Sequence, residues 1–224
     1  MSSKTILLTL NPGFDKRQKC GVSRLYQIFC AQYGYNLKIV DVEFLKNNIP
    51  KEKYSEVLVI AGGDGTIHYV LNVIPEEALD KYIFGIIPAG TANEYAKSLF
   101  IPRNLEDAAR IIASPKVISY SYLGVVNNKY RFVSGLLYGL ADYAVKITPQ
   151  EAKNSLGMVA FHYGVFKLLL SLLFKHKKFH KIFEFNDKKV CTNFILINNL
   201  SLSSKDLSSL KVPEDENIYR FTLI

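Results

Sequence analysis

The chain has 224 residues, of which 49% are hydrophobic, and a formal net charge of +8. That length suits one large domain or two small ones with a real core, and the basic balance points to an anionic partner, whether nucleotide, nucleic acid or membrane surface. Cys20, Cys30 and Cys191 stand apart, without a CxxC or a His-rich companion, which speaks against a zinc site and for a reducing compartment.

The first apolar run, Thr5 to Leu10, reads as a strand and stops at the turn residues Asn11-Pro12-Gly13. It is too short for the core of a signal peptide, and no later apolar run reaches the length of a bilayer span. A cytoplasmic protein is expected. A helix follows over Val22 to Tyr33, with Leu25, Ile28 and Phe29 on one face. Leu37 to Val42 is a second strand, and the polar stretch Lys46 to Lys53, broken by Pro50, reads as loop and short helix.

Val57 to Ile60 is a third strand, closed by Ala61-Gly62-Gly63-Asp64-Gly65-Thr66. Apolar residues then recur at helical spacing (Ile67, Val70, Leu71, Ile74) as far as Pro75. Glycines let such a turn run tightly and approach a ligand closely. The free N–H groups at the start of the helix suit a phosphate, and Thr66 adds a hydroxyl at the same place. No Gly-Lys-Ser/Thr closes the loop and GxGxxG is absent, so it is neither a Walker A loop nor a dinucleotide fingerprint.

Tyr82 to Ile87 is a fourth strand and ends in a second glycine loop, Pro88-Ala89-Gly90-Thr91. Helices are expected from Ala92 to about Phe100 and from Leu105 to Ala113. Strands alternating with helices predict a mostly parallel sheet. In such sheets ligands bind outside the carboxyl ends of the strands. Asn11-Pro12, Gly62 to Thr66 and Pro88 to Thr91 all lie at such ends, so three loops are expected to line one crevice.

Beyond Pro115 the pattern changes. Val117 to Val126, Asn127-Asn128 and Tyr130 to Tyr138 read as a hairpin. Ser155 to Lys175 reads as an apolar helix. Lys181 to Phe185, Asn186-Asp187 and Val190 to Ile197 form a second expected hairpin, and Ile218 to Leu223 a last strand. These readings give an α/β nucleotide-binding domain over residues 1–123 and a β-rich substrate domain over residues 124–224.

Two motifs in this order, Gly62-Gly63-Asp64-Gly65-Thr66 and Pro88-Ala89-Gly90-Thr91-Ala92-Asn93-Glu94-Tyr95-Ala96, resemble those of the diacylglycerol kinase catalytic-domain family, which includes the sphingosine and ceramide kinases. The first motif alone is shared with NAD kinases; the second selects the lipid kinases. Gly139-Leu140-Ala141-Asp142 and Leu156 to Phe161 also look like the family's second domain. The resemblance implies ATP- and magnesium-dependent transfer of phosphate to a lipid hydroxyl, such as that of diacylglycerol. By position, Gly62, Gly63, Gly65 and Thr66 would hold the nucleotide phosphates. Asp64 would act on magnesium or at the phosphate centre, and Gly90, Thr91, Asn93 and Glu94 would form the facing wall, with Asn11 in the first loop.

The chain departs from the family's pattern at several places. Glu94 replaces the usual Asp, Tyr69 and Tyr122 stand where acidic residues are common, and Gly13-Phe14-Asp15 follows Asn11-Pro12 in place of x-Ser-Gly. The late Asp-Gly stretch that supplies the family's proposed base has no match around Pro213 to Asn217. The second domain therefore reads as shortened, with Asp142 a conceivable substitute base. The alternatives are a catalytically degenerate nucleotide-binding or regulatory member of the same fold and an NAD-kinase-like enzyme.

Basic residues at the end of the long apolar helix, Lys175, Lys177, Lys178 and Lys181 with His176 and His180, suit contact with anionic lipid headgroups. The bland alternative is a buried helix with a solvated basic end. No aromatic RNA-binding signature accompanies the charge, so nucleic acid is not expected as a partner. The four histidines lack metal-ligand spacing.

Overall fold

The computed structural model describes residues 4–127, 129–139, 181–185, 188–192, 194–198 and 219–223, with residues from 136 onward described as backbone. It divides into two compact units, one formed by Met1–Ser134 with Asn199–Ile224 and the other by Gly135–Asn198. The boundary expected near Leu123 falls inside a strand of the first unit.

In the first unit, β1 (Thr5–Leu10), β2 (Asn36–Ile39), β3 (Glu56–Gly62) and β4 (Tyr82–Pro88) run parallel in the order β2-β1-β3-β4. From β1 the chain steps outward to β2, then returns to the other side of β1 for β3. The switch point of the sheet therefore lies between β1 and β3, where α/β sheets hold their ligands.

The continuous apolar run of β3 is explained by burial on both faces. Leu58 and Ile60 pack in one cluster with Ile67, Val70 and Leu71 of α4 (Asp64–Val73), Leu45 of α3 (Val42–Asn47) and Tyr95 of α5 (Glu94–Ser98). Val59 and Ala61 pack in a second cluster with Phe14 of α1 (Phe14–Arg17), Leu25 of α2 (Gly21–Tyr26) and Leu105, Ala108, Ala109 and Ile112 of α6 (Leu105–Ala113). Burying each branched side chain contributes roughly 2 kcal/mol, so residues 57–61 secure helices on both sides. Asn104 caps α6 by accepting from the N–H groups of Glu106 and Asp107, at 2.9 and 3.1 Å.

Several expectations need correction. The helix expected over Val22 to Tyr33 is α2 followed by a π-helical turn, Gln27–Gln32, in which the Tyr33 N–H donates five residues back to Ile28 O at 3.2 Å. That turn still buries Ile28 and Phe29. The short helix expected within Lys46–Lys53 begins earlier, at Val42, because Asp41 caps it by accepting from Phe44 N at 2.8 Å. The hairpin expected over Val117–Tyr138 is β5 (Ser119–Val126) with β6 (Tyr130–Phe132), and Asn127 takes the left-handed conformation that its turn requires. The chain then leaves that ladder: β7 (Gly135–Gly139) pairs with β10 (Phe194–Asn198) in the second unit. The strand expected over Val190–Ile197 is split, β9 (Lys188–Thr192) pairing with β8 (Lys181–Phe185) and β10 with β7.

The last strand, β11 (Tyr219–Leu223), belongs to the main sheet. It lies between β4 and β5, parallel to the first and antiparallel to the second. The helix expected over residues 155–175, Asp142, the basic residues Lys175, His176, Lys177, Lys178 and His180, and the stretch 213–217 lie outside the described residues; Lys181 opens β8.

Candidate functional site

β1, β3 and β4 deliver their ends to one place. Asn11 N donates to Ala61 O at 3.0 Å, and Ala89 N donates to Gly62 O at 2.9 Å, so the three loops leave the sheet stitched together. Gly63 and Gly90 then pack backbone to backbone. A Cβ on Gly63 would stand 2.9 Å from Gly90 Cα, and a Cβ on Gly90 would strike Gly63 Cα. Glycine is required at both positions by this close approach. A Cβ at Gly62 would collide with the Thr66 side chain.

The start of α4 is open. Gly63 at its N-cap offers no side chain, and the N–H groups of Thr66 and Ile67 are the first to bond back, both to Gly63 O. Among the described residues the N–H groups of Asp64 and Gly65 have no acceptor, and a Cβ added at Gly65 would meet nothing within 4 Å. Among the described residues, a ten-residue helix thus begins with two donors that no acceptor meets and with open space beside Gly65, a geometry that favours an anion.

Asp64 points elsewhere. Its Oδ2 accepts from Glu94 N at 3.0 Å and its Oδ1 from Tyr95 N at 2.9 Å. It is the cap of α5, supplied from thirty residues upstream. The local N-cap, Asn93, cannot play that part. It sits at φ +53°, and its side chain folds back on the loop, accepting from Gly90 N and donating to Gly90 O, both at 2.9 Å. Asn93 tolerates the left-handed region better than most residues. Tyr95, next along, is buried in the core with its hydroxyl on Ser121 of β5. Burial pushes that hydroxyl well above its ordinary range, and the Ser121 bond offsets this only in part.

Asn11 faces this assembly from β1. Its Nδ2 donates to Thr66 Oγ1 at 3.1 Å. Its Oδ1 accepts from Gly13 N at 2.9 Å and from Arg17 Nη2 at 2.8 Å. Asn11, Gly62, Gly63, Asp64, Gly65, Thr66, Gly90, Asn93 and Glu94 are therefore brought together. Thr91 is exposed on the rim, its carbonyl 3.5 Å from Arg103 Nη2. The Glu94 side chain turns along its own helix to Lys97, at 2.7 Å. Tyr69 is exposed on α4, and His68 stands beside it, its Nδ1 3.4 Å from Asn72 Nδ2. Among the described residues no cluster of three His, Cys, Asp or Glu side chains could hold a metal by itself.

Two contributors escape sequence reasoning. Arg17 lies in a polar run with no motif, and only the folding of α1, fixed by buried Phe14, returns it to Asn11. Arg131 of β6 donates to Leu71 O at 2.9 Å and Ile74 O at 2.8 Å, closing the far end of α4.

A sheet covered by helices on both faces, with an open helix N-terminus and paired glycine loops at the carboxyl ends of its strands, defines a doubly wound α/β domain. The chain belongs to the diacylglycerol kinase catalytic domain family, whose model matches residues 6–124. It is 33% identical over 107 residues to the "Probable lipid kinase YegS-like" of Enterobacter sp. (strain 638), which covers 47% of this chain and 36% of that one. It is 31% identical over 132 residues to a diacylglycerol kinase of Staphylococcus aureus, covering 59% and 41% respectively. The chain thus spans less than half the length of these relatives. A crystal structure of a diacylglycerol kinase from Bacillus anthracis superposes with a TM-score of 0.61 over 89% of this chain and 65% of that one, at 17% identity. That likeness is one of fold. No helix among the described residues is long and apolar enough to cross a membrane.

Proposed function

We propose that this chain is a lipid kinase that transfers the γ-phosphate of ATP to a lipid hydroxyl, such as that of diacylglycerol. The observation that carries the reading is that the N–H groups of Asp64 and Gly65 meet no acceptor among the described residues, beside the open side of Gly65, in a chain of this family. These donors would take phosphate oxygens, and the Thr66 hydroxyl would add a third. Phosphoryl transfer needs positioning and charge neutralisation above all. The touching loops of Gly63 and Gly90 provide the positioning, held by Asp64 on one side and Asn93 on the other.

Magnesium, when bound, would neutralise the transferring phosphate. Asp64 offers it one carboxylate whose oxygens each keep a second lone pair, which fits an ion held chiefly by phosphate oxygens and water. The acceptor lipid would be met at the cytoplasmic membrane surface, through the second unit and the basic residues Lys175, Lys177, Lys178 and Lys181.

A second reading, nucleotide binding without transfer, is favoured by Tyr122 in place of an acidic residue and by the pairing of Glu94 with Lys97. The test is transfer from labelled ATP, with magnesium, to diacylglycerol, sphingosine or monoacylglycerol in anionic vesicles, beside an ATP titration on the same preparation. Labelled lipid supports the kinase; saturable binding without labelled lipid supports the binder; absence of binding overturns both.

A further inference from the structure

The Thr66 hydroxyl can be assigned a direction by counting protons. Asn11 Oδ1 receives two donors, Gly13 N–H and the Arg17 guanidinium, at 2.9 and 2.8 Å. Both are donors only, so the oxygen of the amide must face them and the NH2 group must face Thr66. At 3.1 Å, Thr66 Oγ1 is therefore an acceptor from Asn11. Its own hydrogen has no acceptor among the described residues, and it lies in the first turn of α4 beside the two free N–H groups. The hydroxyl is left as a donor, which is what an acceptor-only phosphate oxygen requires.

Arg17 is what makes this orientation secure. Gly13 N–H alone would leave the second lone pair of Asn11 Oδ1 to water. The guanidinium lies over Gly13, where a Cβ would come within 3.1 Å of Arg17 Nη2, so the absence of a side chain there gives it room. The departure from the common first loop, Gly13-Phe14-Asp15, thus has a structural counterpart. Phe14 is buried against Gly21, where a Cβ would stand 2.6 Å from the ring, and α1 carries Arg17 back over Asn11.

We propose that Arg17 is a positioning residue of the nucleotide site, fixing the Asn11 amide so that the Thr66 hydroxyl donates to a phosphate of the bound nucleotide. The inference rests on the nucleotide reading given above. Arg17 also brings its charge, but the positioning role is distinct from charge because it requires Thr66.

The test is a double-mutant cycle on ADP affinity, measured by calorimetry on the full chain. Arg17→Ala in the parent background should weaken ADP binding about tenfold, the value of one hydrogen bond to a charged acceptor. In a Thr66→Ala background the same change should cost less than about threefold, because the coupled partner is already gone. Thr66→Ser should restore the full Arg17 effect, and Lys16→Ala, an exposed cation one residue away, should cost less than about twofold. Equal Arg17 effects with and without Thr66 would overturn the proposal while leaving the nucleotide reading intact. A parent chain that binds neither ADP nor ATP would overturn both. In the nucleotide-free protein the Asn11 side-chain amide signals should be resolved and slowly exchanging, and should lose that protection in Arg17→Ala; unchanged signals would also count against the proposal.

Discussion

Asp64→Asn is the substitution that separates bracing from chemistry at this site. The carboxylate now accepts from two backbone N–H groups at the start of α5, at 2.9 and 3.0 Å. An asparagine keeps one carbonyl oxygen and turns an NH2 group toward the second N–H, so one bond is lost and two donors face each other. A hydrogen bond to a charged acceptor is worth roughly 1.5–3 kcal/mol, at the low end here because the Glu94 side is open to solvent. Loss of the carboxylate charge at a helix N-terminus adds about 0.3–1 kcal/mol. The sum is a destabilisation of about 2 kcal/mol, or a fall in melting temperature of about 4–8 °C for a chain of this size. Thermal unfolding followed by circular dichroism, beside an ADP titration of the same variant, reads both quantities. The expected outcome is a folded protein that melts earlier, binds ADP more weakly and transfers no phosphate. Melting within about 1 °C of the parent would refute the capping argument and return Asp64 to a purely chemical part.

Three further outcomes follow from the packing. Gly90→Ala drives a methyl group into the Gly63 backbone; overpacking of that kind costs about 2 kcal/mol, seen as a lower urea midpoint, and ADP binding should fall with it. Asn72→Ala removes a two-way bond with the Arg131 backbone, at 2.7 and 2.8 Å, and should speed hydrogen exchange at Arg131 while lowering stability by about 1–3 kcal/mol. Glu106 is held below the ordinary carboxylate range, first by its backbone N–H and then by Arg24 at 2.6 Å, against the opposing effect of burial. A depressed carboxylate contributes stability above its unfolded value and loses it as the pH falls through the folded one. Glu106→Gln should therefore flatten the acid limb of the stability profile and leave the alkaline limb unchanged; an unaltered acid limb would refute the assignment.

The parallel core was legible because its signals are local. β1 and α6 occupy the residues their apolar patterns predicted, and both glycine loops sit where strand meets helix. What could not be read depends on partners far away in the chain. The cap of α5 stands on another loop, and nothing around Glu94 announces it. Arg17 reaches Asn11 only because a buried phenylalanine nucleates a single turn of helix. Thr192 and Phe194 fall on different ladders although no strong breaker separates them, since an apolar run carries no record of which neighbour it will pair with. β11 is the clearest case, a five-residue strand whose place in the main sheet is set by β4 and β5.

That placement gives the chain an order of assembly. Residues 135–198 form their own unit within the sequence of the first, so β4 and β5 must wait for a strand made about a hundred residues later. Until Tyr219–Leu223 emerges from the ribosome, both neighbours present unpaired edges, the kind that recruit strands from other chains. Closing so long a loop is slow. The strands that form the crevice therefore precede in the chain the strand that joins the two parts of the sheet, and on a nascent chain the edges of β4 and β5 would be open to a chaperone or a second copy until that strand pairs.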